Sequence, residues 1–559
     1  MQMTGAQIII ETLIEQGVDT VFGYPGGQVL NIYDELYKNS DRINHVLAAH
    51  EQGASHAADG YFRATGKTGV VIATSGPGAT NLVTGIATAM LDSVPMVAIT
   101  GNVPCDLIGR DSFQEIDITG ITLPITKHNY FVNDVNQLAF TIREAFQIAR
   151  SGRPGPVLID VPKDVQVALA EFENEPIFEK FQNSIAPEEK IATAIEMINE
   201  AKRPYIYIGG GAIGADVQKG VEELAEKIDA VIGCSLMGLS AVPTDNPRFL
   251  GMQGMHGHYA SSMAQNNADL ILAIGVRFSD RATGNKKKYA KGSKIIQLDI
   301  DFAEINKNIN VDVGIYGDIN NAFYRIANAV EPKKHPEWQS FVKELIDREI
   351  SNYIKSDKLT PKRTIDIINA NVPDDTVIAT DVGQHQMWTA QYANFKMPRK
   401  FVSSGGLGTM GFGLGAAIGA QIGSGCPTVL ITGDGSFGMN LNELATAVST
   451  NANVKIVLFN NGVLGMVRQW QTLFFKKHYS STTLERKTDF VKLADAFGAK
   501  AYRAFTPDEF QKVFREAMSI DGPVLIDCAI DKDEFVLPML PPGGSIDEMI
   551  EKIGGDSNE

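Results

Sequence analysis

The segment 428–436 reads Thr-Val-Leu-Ile-Thr-Gly-Asp-Gly-Ser, and the segment 455–461 reads Lys-Ile-Val-Leu-Phe-Asn-Asn. Each starts as a short apolar run, which is typical of a strand buried in a parallel sheet, and each ends in polar residues. One helix is expected between the two strands. The same order of strand, glycine turn, helix and strand occurs from Val-Val-Ile-Ala-Thr-Ser-Gly-Pro-Gly at 70–78 to Val-Ala-Ile-Thr-Gly at 97–101. The sequence therefore predicts two similar α/β units.

A different α/β unit is expected between these two, because apolar runs at 205–208, 270–274 and 294–300 also alternate with helical patterns. We predict an α/β protein of three domains, each built on a doubly wound parallel sheet. The domains are placed at residues 1–170, 190–345 and 364–545.

The connections between domains are expected in polar segments. The stretch 171–190 has the composition of a linker, and the charged segment 331–362 is predicted to be a helical connection to the third domain. An amphipathic helix capped by Thr4 is expected within residues 1–17, and no signal peptide is expected there.

Composition narrows the classes of function. The chain of 559 residues has a formal net charge of -16, which argues against a nucleic-acid surface and favours small molecules as partners. Its four cysteines show no paired spacing, so we expect reduced thiols in a cytoplasmic protein. The uncharged runs 68–91 and 401–433 are rich in Gly, Ser and Thr, and we interpret them as buried α/β interior rather than membrane spans.

The polar strand ends of the third domain predict a metal site. Asp434 and Asn461 follow neighbouring predicted strands, and the carbonyl group of Val463 is a third candidate ligand. One carboxylate with neutral oxygens and phosphates suits Mg2+. Gly433 and Gly435 would allow backbone amides to approach a diphosphate at a helix N-terminus. A Gly-Asp-Gly turn alone usually only starts a helix, but its spacing from the Asn pair is typical of thiamine diphosphate sites.

That cofactor requires a carboxyl group beside N1' of its pyrimidine ring. Glu51 follows a predicted strand at 45–48 and opens a helix of small residues. It is the best candidate in the first domain, although a Glu in a first helical turn is also favoured by the helix dipole alone.

Several longer motifs identify a family. They are Tyr24-Pro-Gly-Gly, His50-Glu-Gln, Thr74-Ser-Gly-Pro-Gly-Ala-Thr-Asn, Gly101-Asn-Val-Pro, Ser112-Phe-Gln-Glu, Ser151-Gly-Arg-Pro-Gly-Pro-Val and Gly408-Thr-Met-Gly-Phe-Gly. Individually several of them occur across thiamine enzymes, and jointly they are specific. From about Gly5 to Ile550 the chain resembles the large catalytic subunits of acetohydroxyacid synthase, also called acetolactate synthase.

The resemblance implies a pyrimidine-binding first domain, a central FAD-binding domain and a diphosphate-binding third domain. Met410 would separate the two thiamine rings, although a core methionine in a glycine-rich gap is the simpler explanation. The implied contacts to thiamine diphosphate are Gly383, Gln384, His385, Gly408, Gly433, Gly435, Ser436, Gly465 and Met466. The implied contacts to FAD are Arg153, Gly209, Gly210, His256, Arg277, Asp299, Ile300, Asp318 and Ile319.

Flavin is implied by the resemblance alone. We assign no Gly-x-Gly-x-x-Gly fingerprint to the central domain, and acidic residues at strand ends are often helix caps. Because the implied reaction involves no net oxidation, FAD would be structural or inherited.

The resemblance also implies a pocket for the second substrate. Its residues would be Phe113, Gln114, Lys163, Met255, Arg281, Met466, Val467 and Trp470. Arg281 is suited to clamping a carboxylate, but an ion pair with Asp280 is its commoner role. Lys163 could be a solvated surface residue, and Trp470 a core aromatic.

The implied reaction uses 2-keto acids. Pyruvate would be decarboxylated, and its two-carbon unit transferred to pyruvate to give 2-acetolactate, or to 2-oxobutyrate to give 2-aceto-2-hydroxybutyrate. This is the first common step of branched-chain amino acid biosynthesis. The resemblance implies a homodimer or tetramer with active sites at the dimer interface, and allows a small regulatory subunit.

Three alternatives remain open at this stage. Two are thiamine enzymes: a flavin-free catabolic acetolactate synthase and a pyruvate oxidase. The third is a non-catalytic regulatory homologue, against which Glu51, Asp434 and Asn461 argue.

Overall fold

Three parallel sheets of six strands follow one another along the chain. A computed structural model describes residues 1–175, 184–351 and 356–552. We call the three sheets, each with its helices, the first, middle and third units. Helices cover both faces of the sheets, so the predicted α/β fold with doubly wound parallel sheets is confirmed.

The first unit begins with a strand pair outside its main sheet, β1 with β8. Its strands are β1 (Gln2–Thr4), β2 (Thr20–Tyr24), β3 (Asn44–Leu47), β4 (Gly69–Ala73), β5 (Met96–Asn102), β6 (His128–Phe131), β7 (Pro156–Pro162) and β8 (Leu169–Glu171). Its helices are α1 (Gly5–Glu15), α2 (Leu30–Lys38), α3 (Glu51–Thr65), α4 (Pro77–Asn81), α5 (Val83–Asp92), α6 (Ile118–Thr122), α7 (Leu138–Arg150) and α8 (Lys163–Val167). The predicted cap of α1 is present, because Thr4 and Gln7 form a capping box.

The middle unit follows residues that lie outside the described part of the chain, 176–183, within the predicted linker. Its strands are β9 (Pro204–Ile208), β10 (Val231–Cys234), β11 (Phe249–Met252), β12 (Leu270–Ile274), β13 (Lys294–Asp299) and β14 (Val313–Tyr316). Its helices are α9 (Glu188–Glu200), α10 (Gly210–Gly214), α11 (Gln218–Lys227), α12 (Tyr259–Asn267), α13 (Asp280–Thr283), α14 (Ile319–Ala329) and α15 (Pro336–Ser351). The predicted helical connection at 331–362 contains α15, and its residues 352–355 are outside the described residues.

The third unit contains the segment 428–436. Its strands are β15 (Val377–Thr380), β16 (Phe401–Val402), β17 (Thr428–Gly433), β18 (Val454–Asn460), β19 (Lys500–Ala504) and β20 (Val524–Ala529). Its helices are α16 (Pro361–Asn369), α17 (Gln384–Tyr392), α18 (Gly413–Ser424), α19 (Asp434–Phe437), α20 (Leu444–Ser449), α21 (Gly465–Phe474), α22 (Phe490–Ala496) and α23 (Pro507–Met518). The prediction of one helix between β17 and β18 was wrong, since α19, a 3-10 turn and α20 lie there.

Strand order separates the middle unit from the other two. The first sheet runs β3-β2-β4-β5-β7-β6 and the third runs β16-β15-β17-β18-β20-β19, which is the same order relative to the chain. The middle sheet runs β11-β10-β9-β12-β13-β14, the order of dinucleotide-binding folds. The prediction of two similar units around a different one is therefore confirmed.

Helices α3 and α18 join the first and third units through small residues. A Cβ atom added at Gly60 would collide with the backbone of Ala416, and one at Gly419 with the backbone of Ala57. The two helix backbones are therefore in direct contact. Nearby, Asp92 accepts hydrogen bonds from the amides of Gly405 (3.0 Å) and Gly406 (2.6 Å) and pairs with Arg63 (2.9 Å).

The two uncharged runs lie in the interior as expected. Residues 68–91 form β4, α4 and most of α5, and residues 401–433 run from β16 through α18 to β17. In the described part of the chain, no helix combines the length and apolar character needed to cross a membrane.

Candidate active site

The carboxyl ends of β17 and β18 bring Asp434 and the Asn461 loop together. Asp434 is the first residue of α19 and is 6% exposed. Its Oδ2 atom accepts the Gly462 amide at 2.8 Å, and its Oδ1 atom accepts the Gly435 amide at 2.9 Å. Burial raises the pKa of Asp434 to about 6, and no lysine or arginine of the described chain pairs with it. This buried carboxylate therefore forms no salt bridge within the described chain.

The surroundings of Asp434 suit Mg2+ better than a softer metal. Asn461 accepts the Val463 amide through Oδ1 at 3.1 Å, which folds the loop back beside Asp434. Among the described residues no group of three or more His, Cys, Asp or Glu could hold a metal ion. Asp434 and Asn461 offer a carboxylate and an amide oxygen here, and oxygen ligands of this kind favour Mg2+.

Glycines keep space open beside Gln384 and His385, at the start of α17. A Cβ atom at Gly433 would lie 2.8 Å from His385 Nδ1, and one at Gly465 would collide with Gln384 Oε1. Gln384 Oε1 and His385 Nε2 are both buried without a partner in the described chain. Burial lowers the pKa of His385 to about 3, so its ring is neutral. Unpartnered polar atoms around a glycine-lined space indicate room for an external ligand.

Met410 belongs to a loop that Asp381 holds in place. The Gly411 amide donates to Asp381 Oδ1 at 2.8 Å and to Ser436 Oγ at 3.2 Å. A Cβ atom at Gly435 would lie 4.0 Å from Met410 Cε, so Met410 extends over the turn that starts α19. Gly408 in the same loop has a φ of +69°. Sequence reasoning missed Asp381, although a polar residue directly after β15 was the same signal that singled out Asp434.

Glu51 lies at the carboxyl edge of the first sheet. It opens α3, is 9% exposed, and accepts a hydrogen bond from Asn81 Nδ2 at 2.9 Å. A Cβ atom at Gly78 would lie 3.2 Å from Glu51 Oε1, which leaves this oxygen beside an open glycine turn. Within the described part of one chain, no hydrogen bond joins Glu51 to Asp434 or Met410.

Other predicted residues gather at the same edge of the first sheet. Gln114 packs against Gly76, where an added Cβ atom would lie 2.9 Å from the Gln114 carbonyl oxygen. Lys163 donates to the carbonyl group of Gly27 at 3.2 Å. Phe113 is 85% exposed, so this edge presents an aromatic ring to the solvent beside its polar groups.

Glu443 was not predicted from the sequence. It lies in the third unit, yet it accepts the Ala49 amide at 3.2 Å just before α3. Its pKa is raised by burial, and the nearby Glu51 raises it further. A contact between residues 394 positions apart leaves no local sequence signal.

Arg281 and Trp470 meet at the junction of the middle and third units. The Arg281 guanidinium lies 5.6 Å from the Trp470 ring centroid, and its Nη1 lies 3.6 Å from the sulfur atom of Met255. The alternative ion pair with Asp280 is not formed, and Trp470 Nε1 is buried without a partner in the described chain. Arg281 thus forms no salt bridge with a described carboxylate, which leaves its charge available to a ligand. The neighbouring His256 is 6% exposed, and burial lowers its pKa to about 4.

The middle sheet reverses its strand order between β9 and β12, where dinucleotides bind in such folds. Gly209 and Gly211 pack directly on Gly275 after β12, and a Cβ atom at Gly211 would lie 2.6 Å from Gly275 Cα. The assignment of no fingerprint was wrong. The sequence Gly209-Gly-Gly-Ala-Ile-Gly214 has the Gly-x-Gly-x-x-Gly spacing between a strand and a helix. Its third glycine is not needed for close packing, because nothing lies within 4 Å of an added Cβ atom at Gly214.

The predicted acidic residues follow strands of the same sheet. Asp299 ends β13 with 6% exposure, and burial raises its pKa to about 6. Ile300 follows it. Asp318 accepts the Asn321 amide at 2.9 Å and caps α14, which begins at Ile319. Asp318 therefore acts as a helix cap, which is the simpler of its two expected roles.

Two predicted arginines connect the first and middle units. Arg153 donates to Ser93 Oγ at 2.9 Å and to Glu304 Oε1 at 3.0 Å. Arg277 donates to the carbonyl group of Leu91 at 2.6 Å. Burial lowers the pKa of Arg277, and the charge of Arg153 adds to this effect. Both arginines therefore lie at the contact between the first and middle units.

Comparison with known proteins gives matches over the whole length. The models named "Thiamine pyrophosphate enzyme" match as the N-terminal TPP binding domain at residues 3–121, the central domain at 191–326 and the C-terminal TPP binding domain at 381–528. The acetolactate synthase isozyme 2 large subunit of Escherichia coli K12 is 45% identical over 554 residues, covering 99% of this chain and 100% of the relative. A probable acetolactate synthase large subunit of Methanocaldococcus jannaschii is 45% identical, covering 99% and 96%. The acetolactate synthase large subunit of Corynebacterium glutamicum is also 45% identical, covering 99% and 91%.

Proposed function

Because this chain belongs to the thiamine pyrophosphate enzymes, and within them to the acetolactate synthase large subunits, we propose that it is a catalytic acetolactate synthase. It decarboxylates pyruvate and transfers the two-carbon unit to a second 2-keto acid in branched-chain amino acid biosynthesis. The observation that carries this conclusion is the 45% identity over 554 residues. Asp434, a buried carboxylate that pairs with no described lysine or arginine, supports it. Bound thiamine diphosphate supplies the electron sink for decarboxylation and carries the resulting nucleophile.

The third unit would hold the cofactor and its metal. Asp434, the Asn461 side chain and the Val463 carbonyl group are proposed to bind Mg2+. The buried, cation-free carboxylate and the adjacent loop support this. The remaining proposed contacts to the cofactor are Gly383, Gln384, His385, Gly408, Gly433, Gly435, Ser436, Gly465 and Met466.

The first unit would handle the proton. Glu51 is proposed to share a proton with the pyrimidine N1' atom through Oε1, since Asn81 already donates to Oε2. This orientation would keep Glu51 aimed at the glycine turn that contains Gly78. Met410, which lies in the third unit, would separate the two rings of the cofactor.

The acceptor substrate would bind between the middle and third units. Arg281 is proposed to bind its carboxylate, because the Trp470 ring and Met255 hold the guanidinium without satisfying its charge. Trp470 would contact the side chain of the acceptor, either pyruvate or 2-oxobutyrate. Phe113, Gln114 and Lys163 would close the pocket from the first unit.

FAD is proposed to bind at the carboxyl edge of the middle sheet. The strand order and the close packing of Gly209 and Gly211 on Gly275 support this. Gly210, Asp299, Ile300, Asp318 and Ile319 lie along this edge, and Arg153, Arg277 and His256 would complete the contacts. Since the reaction is redox-neutral, the flavin would stabilise the unit without cycling.

The assembly is also a proposal. We propose a homodimer or tetramer whose active sites combine Glu51 of one subunit with the third unit of its partner, and a small regulatory subunit as a possible addition. The domain bounds 1–170, 190–345 and 364–545 remain proposals. A cytoplasmic location is proposed because all four cysteines are free thiols.

The purified protein provides a direct test. With thiamine diphosphate, Mg2+ and FAD it should form acetolactate from pyruvate, and its flavin spectrum should stay oxidised during turnover without oxygen. Formation of acetate with flavin bleaching at the rate of turnover would instead identify a pyruvate oxidase. Glu51→Gln is the control, since it should form neither product at an appreciable rate.

A further inference from the structure

A separate cavity lies between the middle unit and the C-terminal segment. Its volume is about 380 Å³, and its walls are α12, the segment 282–292 and the segment 540–547. A space of this size holds a small metabolite. None of the residues proposed to contact the thiamine cofactor, FAD or the 2-keto acids lines this cavity.

One wall presents a buried donor without a partner. Gln265 on α12 lines the cavity and is 6% exposed, and its Nε2 atom has no hydrogen-bond partner in the described chain. Ser262, one turn earlier on the same face, accepts the Gly254 amide at 3.2 Å. Buried amide groups are normally paired, so Gln265 needs an acceptor that the described chain does not supply.

The rim of the cavity is positively charged. Lys288 donates to Ser545 Oγ at 3.2 Å, and neither Lys288 nor Lys291 forms a salt bridge with a described carboxylate. Asp547 is the one acidic residue among the lining residues. The lining therefore carries two cations and one carboxylate, although the whole chain has a net charge of -16. This local excess of positive charge favours the binding of an anion.

Apolar groups also line the cavity, namely Leu540, Ile546 and the Tyr289 ring. We propose that the cavity binds a small organic anion whose carboxylate or phosphate group is held by Gln265, Lys288 and Lys291, with its apolar part against these groups. This inference does not depend on the proposed function.

The cavity shares a wall with the proposed acceptor pocket. The Leu540 amide donates to the Met255 carbonyl group at 2.7 Å, and the Met255 amide donates to the Arg281 carbonyl group at 2.8 Å. A ligand in the cavity would therefore contact the backbone segment that positions Arg281. This places the cavity where an anion could influence the acceptor pocket without entering it.

Binding can be measured by calorimetry on the protein saturated with thiamine diphosphate, Mg2+ and FAD. Inorganic phosphate and malonate are the probes, and the tighter of the two identifies which anionic group the cavity prefers. Lys291→Met should weaken the binding about ten-fold, the loss expected for one charge-assisted hydrogen bond. Lys287→Met is the matched control, since it removes the same charge from the same segment but does not line the cavity.

Gln265→Leu separates a ligand contact from a structural role. It removes a donor that has no partner, so it should weaken anion binding while the melting temperature stays unchanged or rises. The proposal is overturned if neither probe binds, or if Lys291→Met and Lys287→Met have equal effects. It is also overturned if Gln265→Leu lowers the melting temperature and leaves binding unchanged.

Discussion

Asp434 is a buried carboxylate that only backbone amides contact in the described chain. Replacing it with Asn keeps the size and removes the charge that a divalent cation requires. We expect Asp434→Asn to abolish the dependence of thiamine diphosphate affinity on Mg2+, as measured by fluorescence titration with and without the metal.

Flavin content is the control for Asp434→Asn, because the proposed FAD contacts lie in another unit. A variant that retains its flavin and loses metal-dependent binding supports the assignment. Unaltered metal-dependent affinity would mean that the metal binds elsewhere.

Trp470 is held between the Arg281 guanidinium and Phe474, whose ring centroid is 5.8 Å from its own. A flat indole at this place can bury the extra methyl group of 2-oxobutyrate, which is worth about 1 to 3 kcal/mol. We expect Trp470→Leu to reduce the preference for 2-oxobutyrate over pyruvate about ten-fold. Both products of one competition reaction give this ratio free of errors in enzyme concentration.

Trp470 also packs in the protein, so stability must be measured in parallel. Loss of a purely structural residue would lower the melting temperature and both products together. An active Trp470→Leu variant with an unchanged product ratio would exclude the role in selection.

At the scale of elements, the strands could be predicted because buried parallel strands appear as continuous apolar runs. The run at 270–274 became β12 with the same bounds, and the apolar run that starts at Val70 lies in β4. Asp434 was found because it follows such a run directly, and Glu51 because it opens the helix shortly after the predicted strand at 45–48. Asp381 carries the same signal after β15 and could have been found in the same way, whereas the contact of Glu443 was not predictable, since its partner is 394 positions away.

The glycine fingerprint is a different kind of miss. Gly209, Gly211 and Gly214 stand in the sequence with the required spacing directly after the predicted strand at 205–208, so this feature could have been predicted. The structure shows that two of the three glycines are needed for the contact with Gly275. The strand order itself could not be read from the sequence, because several orders connect the same elements.

A histidine ion pair joins α12 to α15. His258 Nδ1 lies 2.6 Å from Glu349 Oε1, and the Ala260 amide donates to Glu349 Oε2 at 2.8 Å. Burial alone would lower the pKa of His258, but the hydrogen bond and charge of Glu349 raise it above its ordinary value of 6.5. Burial alone would raise the pKa of Glu349, but His258 holds it below 4.5.

These shifts define a pH window for stability. The His258 contribution is fully present below pH 6.5 and is lost as pH rises through its folded-state pKa, whereas the Glu349 contribution is lost as pH falls below 4.5. We expect His258→Gln to lower the stability by about 1 kcal/mol at pH 6 and by less at pH 8.5.

Thermal melting at both pH values measures this difference. His478→Gln is the control, because His478 is exposed and forms no described ion pair. Equal losses for His258→Gln at pH 6 and pH 8.5 would contradict the ion-pair explanation.

At the scale of the whole molecule, the proposed active site divides between subunits. Glu51→Gln and Asp434→Asn each disable one half of the site. In a heterodimer of these two variants, a site shared across subunits leaves one complete site, so about half of the parent activity should return. The heterodimer can be isolated from co-expressed chains with two different tags.

The matched control is a heterodimer of the parent chain and the double variant Glu51→Gln, Asp434→Asn. If sites are shared across subunits, every site in it carries one defect and it should be inactive. If each chain contains its own complete site, the results reverse: this heterodimer is half active and the first one is inactive.

The direct backbone contact between α3 and α18 can form only after a long stretch of the chain between them has been synthesised. Ala416 of α18 follows its contact Gly60 of α3 by 356 positions, and a ribosome adding about 5–20 residues per second needs roughly 18–70 s to cover that distance. Throughout this interval the nascent first unit carries an uncovered strip of alanine and glycine, which fits α18 of any neighbouring chain as well as its own. We expect ribosome-bound chains that end before α18 to recruit chaperones, and chains that extend beyond it to release them; equal recruitment, measured by crosslinking, would show that the strip is protected in another way.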